Sequence, residues 1–480
     1  SSDVCSSDLN AGKAVLIMSE EKFILSGIKI GNVICVDCIY QQFSKARNYG
    51  NFDEEQYYFS EGIFLKAKPE SILITDDHVD HLRQAMYLLR QKMTYALYAS
   101  VRDEETSSVM NAVCTGDRSG LSEETKSLYQ TSGIAHVLAI SGLHISLLGM
   151  GVYKILRKLL WFMPSAVISI FIMLCFCILS SGSPSAVRAL IMFTVQMGSI
   201  GLGKSYDIRC SLSLAALIML ISDPMLITNA AFEMSFAAVL SVAVLYKCIN
   251  DFYVFRCENR LRKNKPSKWF SSFLLSLGVT CGTLPLIMLN YYEIPLYSIA
   301  LNLLVVPAMS MVLGSGIIAS FMGMASTGLG RFFSGAGAYL IQMVRMVCRI
   351  SQLLPGSTIV TGAPSQIRVF IYYMMLLSAS LTMGMYVRYK RHITNMKFSG
   401  SGRNPVPGKI PSGHSAIKAA CICAFAGLCL LILFGREKQS QLTISMLDAG
   451  QGECILIENP SGSVYMIDAG STSIENAAKY

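Results

Sequence analysis

The residues best able to do chemistry lie inside apolar runs. His136, Ser141 and His144 fall on one face of an ideal helix, within about 140° of each other at the helical period. That set supports three chemistries. It reads as a polar lining at a pore mouth. It reads equally as hydrogen-bonding glue between helices, worth roughly 0.6–2 kcal/mol per contact. A serine nucleophile with a histidine base is the third, but no acidic residue accompanies it to orient the imidazole. Arg188 follows Ser183-Pro184-Ser185, a helix start with proline near the first turn. Its cation either meets a phosphate or snorkels to the headgroups, and snorkelling is the plainer expectation. Glu233 lies mid-run in AAFEMSFAAVL, where a carboxylate is paired, protonated or functional. Asn302 and Pro307, in ALNLLVVP, predict a broken helix lining a cavity.

Two further motifs carry chemistry on paper. Asp76-Asp77-His78-Val79-Asp80-His81 has residue types and spacing that can hold zinc. The run leads straight into HLRQAMYLLRQK, a helical pattern from about Asp80 to Val101, so Asp76 or Asp77 is expected as its N-cap. Residues 411–416, PSGHSA, resemble the central motif of type-2 phosphatidic-acid phosphatases, in which a histidine would protonate a leaving group. Arg403 is followed by Asn404 where that motif set needs proline, and no histidine follows His414. A cap before an apolar segment is the simpler reading. Cys35 and Cys38 form a lone C-x-x-C; with no second pair a zinc ribbon is unsupported, and a disulfide is open if the region faces an oxidising space.

The elements that must hold these residues are membrane spans. Charged residues are 15% of the 480-residue chain and hydrophobic residues 52%, against roughly 25% charged in soluble proteins. A disordered chain is excluded and a purely soluble enzyme disfavoured. Apolar runs near 134–153, 164–181, 186–202, 210–222, 228–247, 269–290, 297–323, 334–353, 368–387 and 416–434 approach the ~20 residues that cross a bilayer. The fourth is short, the seventh is long enough to bend or re-enter, and the eighth carries Arg345 and Arg349 and is expected along the interface. The fold class expected is therefore a polytopic α-helical membrane protein of about ten spans.

The loops orient it. Arg256, Arg260, Arg262, Lys263, Lys265 and Lys268 crowd one loop; Arg388, Lys390, Arg391, Lys397, Arg403 and Lys409 crowd another. Both are expected on the cytoplasmic side, and counting outward places Lys154, Arg157, Lys158, Lys204 and Arg209 there too. Both ends of the chain then lie outside the cell membrane. The net charge of +9 is read as this topology signal and not as a nucleic-acid footprint.

Flanking the spans are two polar zones. Ser1 to Leu9 resembles translated sequencing-adapter sequence and is set aside. AVLIM, KFILSGIKI and NVICV, within 14–36, read as short strands of a small β-domain. After 435 the pattern alternates, and two strands joined by a Pro-Ser-Gly turn are expected.

Four separated blocks carry a family resemblance: LYQTSGIAHVLAISGLHISLLG, SPSAVRALIM, SDPMLITNAAFEMSFAAVL and TLPLIMLNYYEIPLYSIALNLLVVPAMS. Together they resemble the ComEC competence proteins, polytopic proteins implicated in moving single-stranded DNA inward during natural transformation. The resemblance spans roughly residues 30–475. It implies an external OB-like β-domain with a helical linker at 10–132, a competence transmembrane domain at 133–435, and the first strands of a metallo-β-lactamase-like domain at 436–480. Within that last zone Asp448, Gly450, Gly452, Asp468 and Gly470 match strand-and-turn positions, and turn chemistry is their expected role. His136, Ser141, His144, Arg188, Glu233 and Asn302 become candidates for a DNA channel; where the family usually shows Gln, this chain has Glu233. No catalytic residue and no metal ligand is assigned. Zinc or manganese is implied only for a complete C-terminal domain, and the chain reads as an internal fragment without the family's N-terminal helices. Implied partners are single-stranded DNA, membrane lipid, a competence DNA receptor and a cytoplasmic ATPase or helicase. The competing class is a membrane-anchored metallohydrolase whose helices are only an anchor. Polar residues spread over four apolar segments argue against it.

Overall fold

The structure is a computed structural model, and it describes residues 13–19, 23, 25–48, 51, 53–138, 141–260, 267–399, 441–448, 453–461 and 463–468. Strands β1 (Lys13–Leu16), β2 (Val33–Gln41) and β3 (Ile63–Asp76) form one sheet in the order β1-β3-β2. β1 runs parallel to β3 and β2 antiparallel. A register shift follows Asp37, where Pro69 faces Cys38; a bulge tolerates the N–H that proline lacks. Cys38 is a free thiol. The described residues of KFILSGIKI form no strand: Ser26 bonds back to the Phe23 carbonyl at 2.7 Å and Gly27 turns the chain at φ +63°.

Helix α1 (Glu54–Ser60) is capped by Asp53, whose side chain accepts from the Gln56 N–H. It is tied to the sheet by Glu54, whose carboxylate lies 2.7 Å from Lys66 Nζ and also accepts from the Ser44 hydroxyl and N–H. Lys66 first, then Ser44, holds this carboxyl down at about 2, against a usual 4.5. Its stabilisation is therefore complete above pH 4.5 and fades as pH falls toward 2. Glu54→Gln should accordingly lower the melting temperature at pH 6 and leave it much closer to the parent's near pH 2.5. A gap that stays constant across that range would remove the ion pair from the account.

Helices α2 (His81–Ser100), α3 (Glu104–Thr115) and α4 (Glu123–Thr131) follow, each opened by a side-chain cap: Asp80, Asp103 and Ser122. The cap of α2 is thus Asp80, not Asp76 or Asp77. Asp76 still belongs to β3, and its carboxylate accepts from the His78 N–H at 3.1 Å.

The apolar bundle comprises α5 (Ala135–Leu138), α6 (Gly142–Leu156), α7 (Phe162–Leu179), α8 (Pro184–Gly201), α9 (Ile208–Ser222), α10 (Ala230–Ser241), α11 (Lys247–Arg260), α12 (Lys268–Tyr291), α13 (Ser298–Ala325), α14 (Thr327–Leu353) and α15 (Gln366–Ser399). A 3-10 turn at Pro224–Thr228 precedes α10, and a π-helical turn at Val242–Tyr246 joins α10 to α11. Among the described residues, five stretches are long and apolar enough to cross a membrane: Phe162–Leu179, Ala230–Val254, Trp269–Tyr291, Ser298–Ala325 and Gln366–Tyr389. His144–Leu156 and Ile208–Ser222 are shorter apolar helices. The run at 416–434 and the PSGHSA motif lie outside the described residues.

Two expectations for the spans are corrected. The first run is two helices, because Ser141 opens α6 as a fresh N-cap. The seventh does not break at Pro307, since α13 continues from Ser298 to Ala325 with the proline ring turned outward, away from the core.

One hydrophobic core joins α2–α4 to the bundle. Val305, Met309 and Val312 of α13 are fully enclosed with Leu97, Met110 and Val113. The eighth run, α14, turns Arg345 inward to Asp103 (3.3 Å) and Glu105, while Arg349 meets Glu124 at 3.1 Å. Its arginines are thus neutralised by α3 and α4, and its outer face is the apolar row Phe332, Tyr339, Met343, Met346 and Ile350.

Strands β4 (Glu293–Pro295) and β5 (Thr358–Val360) pair antiparallel beside the starts of α13 and α15. At the C-terminal end β6 (Thr443–Asp448), β7 (Glu453–Glu458) and β8 (Val464–Ile467) make a three-stranded antiparallel sheet. The alternation therefore encodes three strands where two were expected, the Pro-Ser-Gly turn joining the second and third.

Candidate functional site

Ser141 and His144 meet at the start of α6. The Ser141 hydroxyl accepts from the His144 N–H at 3.4 Å, and His144 Nδ1 accepts from the Ser141 N–H at 3.5 Å. This is a reciprocal capping box in which histidine stands where glutamate or glutamine is usual. Hydroxyl and ring nitrogen are each engaged with the other's backbone, so the pair is not arranged as nucleophile and base. His144 is buried. His136, the second residue of α5, is an exposed residue eight positions before His144.

Arg188 occupies the first turns of α8, yet it does not snorkel. It is only 6% exposed. Nη1 donates to the Ser235 carbonyl of α10, the guanidinium carbon sits 5.7 Å over the Phe236 ring, and Nη2 abuts the position where a Gly142 side chain would begin. Nε is buried with no partner. Among the described residues no carboxylate pairs with this cation. The reason it points inward is Gly142: the first residue of α6 has no Cβ, which leaves room for the guanidinium against the helix end.

Ser141, His144 and Arg188, with His136 nearby, are thereby brought to one junction of α6, α8 and α10. Glu233 is not part of it. Asn229 caps α10 at Ala231 and Phe232, so Glu233 stands in the first helical turn instead of mid-span, where the helix dipole favours a carboxylate. Tyr373 of α15 donates its hydroxyl to the Gly282 carbonyl at 3.0 Å. Asn302 lies on α13 with its Oδ1 buried and unpartnered, and no hydrogen bond links it to Arg188.

Sequence reasoning missed Gly142, Ser235 and Phe236. SGLH, four residues opening a helix inside an apolar run, holds the one available clue: a serine with a side-chain acceptor three residues on.

At the C-terminal sheet Asp448 exchanges two backbone hydrogen bonds with the Asn48 side chain (2.8 and 2.9 Å) and lies 3.6 Å from Arg47. Asp468 takes φ +50°, in keeping with turn chemistry. Gly450, Gly452 and Gly470 lie outside the described residues. Asp80 is engaged with the Arg83 N–H and guanidinium, and no group of three or more His, Cys, Asp or Glu converges among the described residues.

Comparison with known proteins agrees with the site's membrane setting. The family model described as Competence protein matches residues 113–385. ComE operon protein 3 of Bacillus subtilis is 21% identical over 428 residues, covering 88% of this chain and 50% of that protein. Recombination protein 2 of Haemophilus influenzae is 27% identical over 282 residues, 57% of this chain and 34% of that protein. An uncharacterized Escherichia coli protein, YcaI, is 24% identical over 292 residues, 57% of this chain and 36% of that protein. The chain spans about half or less of the length of these relatives, and no solved structure matches it. With more than half of its residues matched, and with apolar helices of membrane length within that stretch, the chain belongs to the competence protein family, the ComEC family that its sequence blocks resemble.

Proposed function

We propose that the chain forms part of the conduit that passes single-stranded DNA across the cytoplasmic membrane during natural transformation. The family supports a role in DNA uptake, and one observation supports the finer statement. A cation with no acidic partner among the described residues is buried where three apolar elements meet, beside a capped histidine and an exposed one. An anchor gains nothing from such a group, because a charge among apolar helices is costly unless it meets something. In this reading the sheet of β1–β3 is the OB-like external domain, and β6–β8 begin a metallo-β-lactamase-like domain on the same side. The basic stretches at 248–268 and 388–415, which include the end of α15 and most of α11, face the cytoplasm, where an ATPase or helicase would draw on the strand.

His144→Ala removes the ring from the junction while Ser141 still caps the helix. It should lower uptake of labelled DNA several-fold at unchanged protein level in the membrane. Normal uptake with this variant would retire His144 as part of the conduit.

A further inference from the structure

Arg188 and Arg345 are buried differently. Arg345 meets two carboxylates. Arg188 meets a carbonyl oxygen and an aromatic face, which offer only partial charge, and its Nε meets nothing. A desolvated cation left in that state is unfavourable unless an anion joins it.

The surroundings suit an oxyanion. Nη2 lies at Gly142, the first residue of α6, whose N–H and that of the next residue have no acceptor within the helix; the Ser141 hydroxyl takes the third. Arg188 is itself one turn from the start of α8, where Ser183 makes no side-chain cap and its hydroxyl lies 3.3 Å from that of Ser185. Two helix N-termini thus add partial positive charge around a planar fork of N–H donors.

Resting on the conduit reading above, we propose that Arg188, the opening N–H groups of α6 and the Ser183 hydroxyl form a seat for one phosphodiester of an extended strand, recognised by its charge and shape and not by its bases. Phosphodiester oxygens match the guanidinium fork and a helix N-terminus together. A phospholipid headgroup carries the same chemistry. Enclosure between α6, α8 and α10 favours a threaded strand over a headgroup at the rim.

The test uses the full chain in phosphatidylcholine nanodiscs. The probes are a fluorescent abasic deoxyribose-phosphate oligomer and a peptide nucleic acid of equal length, which keeps bases on an uncharged backbone. The abasic oligomer should bind and the peptide nucleic acid should not. Arg188→Gln should weaken abasic binding about tenfold or more, and Arg188→Lys should restore part of it. Protection of Arg188 from phenylglyoxal by the abasic oligomer reads the same seat in the unaltered chain, so a variant that misfolds does not blunt the test. Equal binding of both probes, undiminished binding by a folded Arg188→Gln chain, or displacement of the probe by phosphatidylglycerol discs at no added salt would overturn the seat. Binding through Arg188 together with unimpaired DNA uptake by the same variant would keep the seat and remove the conduit reading.

Discussion

Gly133→Ala should destabilise the protein by about 2–4 kcal/mol and lower its melting temperature in detergent by several degrees. Gly133 sits between α4 and α5 at φ +73°, a conformation that costs an alanine roughly 1 kcal/mol. The larger part is steric. A Cβ there would run into the Pro295 ring and stand 2.7 Å from Ser298 Cβ, at the end of β4 and the first residue of α13. Ser298 opens α13, whose Leu301, Val305 and Met309 lie in the core, so this wall yields poorly. Gly182 is the matched control. It has φ +63° with no atom within 4 Å of the point where a methyl carbon would stand, so Gly182→Ala should show only the conformational part. Equal melting shifts in the two variants would show that the loop before α5 gives way freely.

Arg345→Met should cost about 2 kcal/mol at neutral pH, because it strands two carboxylates against the packed face of α3. The figure is kept low because Asp103 and Glu105 are each more than a third exposed. The pH dependence separates this from a packing loss. The Asp103 carboxyl is held below its ordinary 3.8 chiefly by the Thr106 hydroxyl and N–H, with Arg345 adding to it. A depressed carboxyl contributes above its unfolded value and loses that contribution as pH falls through the folded one. The difference between parent and variant should therefore be full at pH 7 and shrink below about pH 4. Thermal unfolding at pH 7 and pH 3 decides it; an undiminished gap at pH 3 would assign the effect to lost side-chain packing.

What the sequence made legible was governed by length of pattern. Helices such as Phe162–Leu179 and the Gln366–Tyr389 part of α15 follow from sustained apolar runs, which leave the backbone no alternative in lipid; the continuation of α15 through the basic residues to Ser399 does not. The break before Gly142 was hidden because AHVLAISGLHISLLGMG stays apolar across it, and hydropathy does not register a cap. β3 was obscured by Lys66, Lys68, Pro69 and Glu70, charges and a proline that an edge-rich three-stranded sheet accommodates. Of the candidate site, the polar residues were visible as types out of place. Their partners were not: Arg188 turns inward through the space left by Gly142, a contact between residues 46 positions apart. Glu233 was misplaced by one local fact, that Asn229 and not the apolar run sets where its helix begins.

The contact between Asn48 and Asp448 has a bearing on counting. Two residues 400 positions apart hold each other by paired hydrogen bonds, so they occupy the same side of any bilayer the chain traverses. A path that departs from one side and comes back to it crosses an even number of times. The five long apolar helices among the described residues between them are an odd set. Parity therefore demands an even count between residues 48 and 448, met by one further crossing or by one of the five not crossing, and a shift of a single span anywhere in that stretch would pull the two sheets to opposite faces of the membrane.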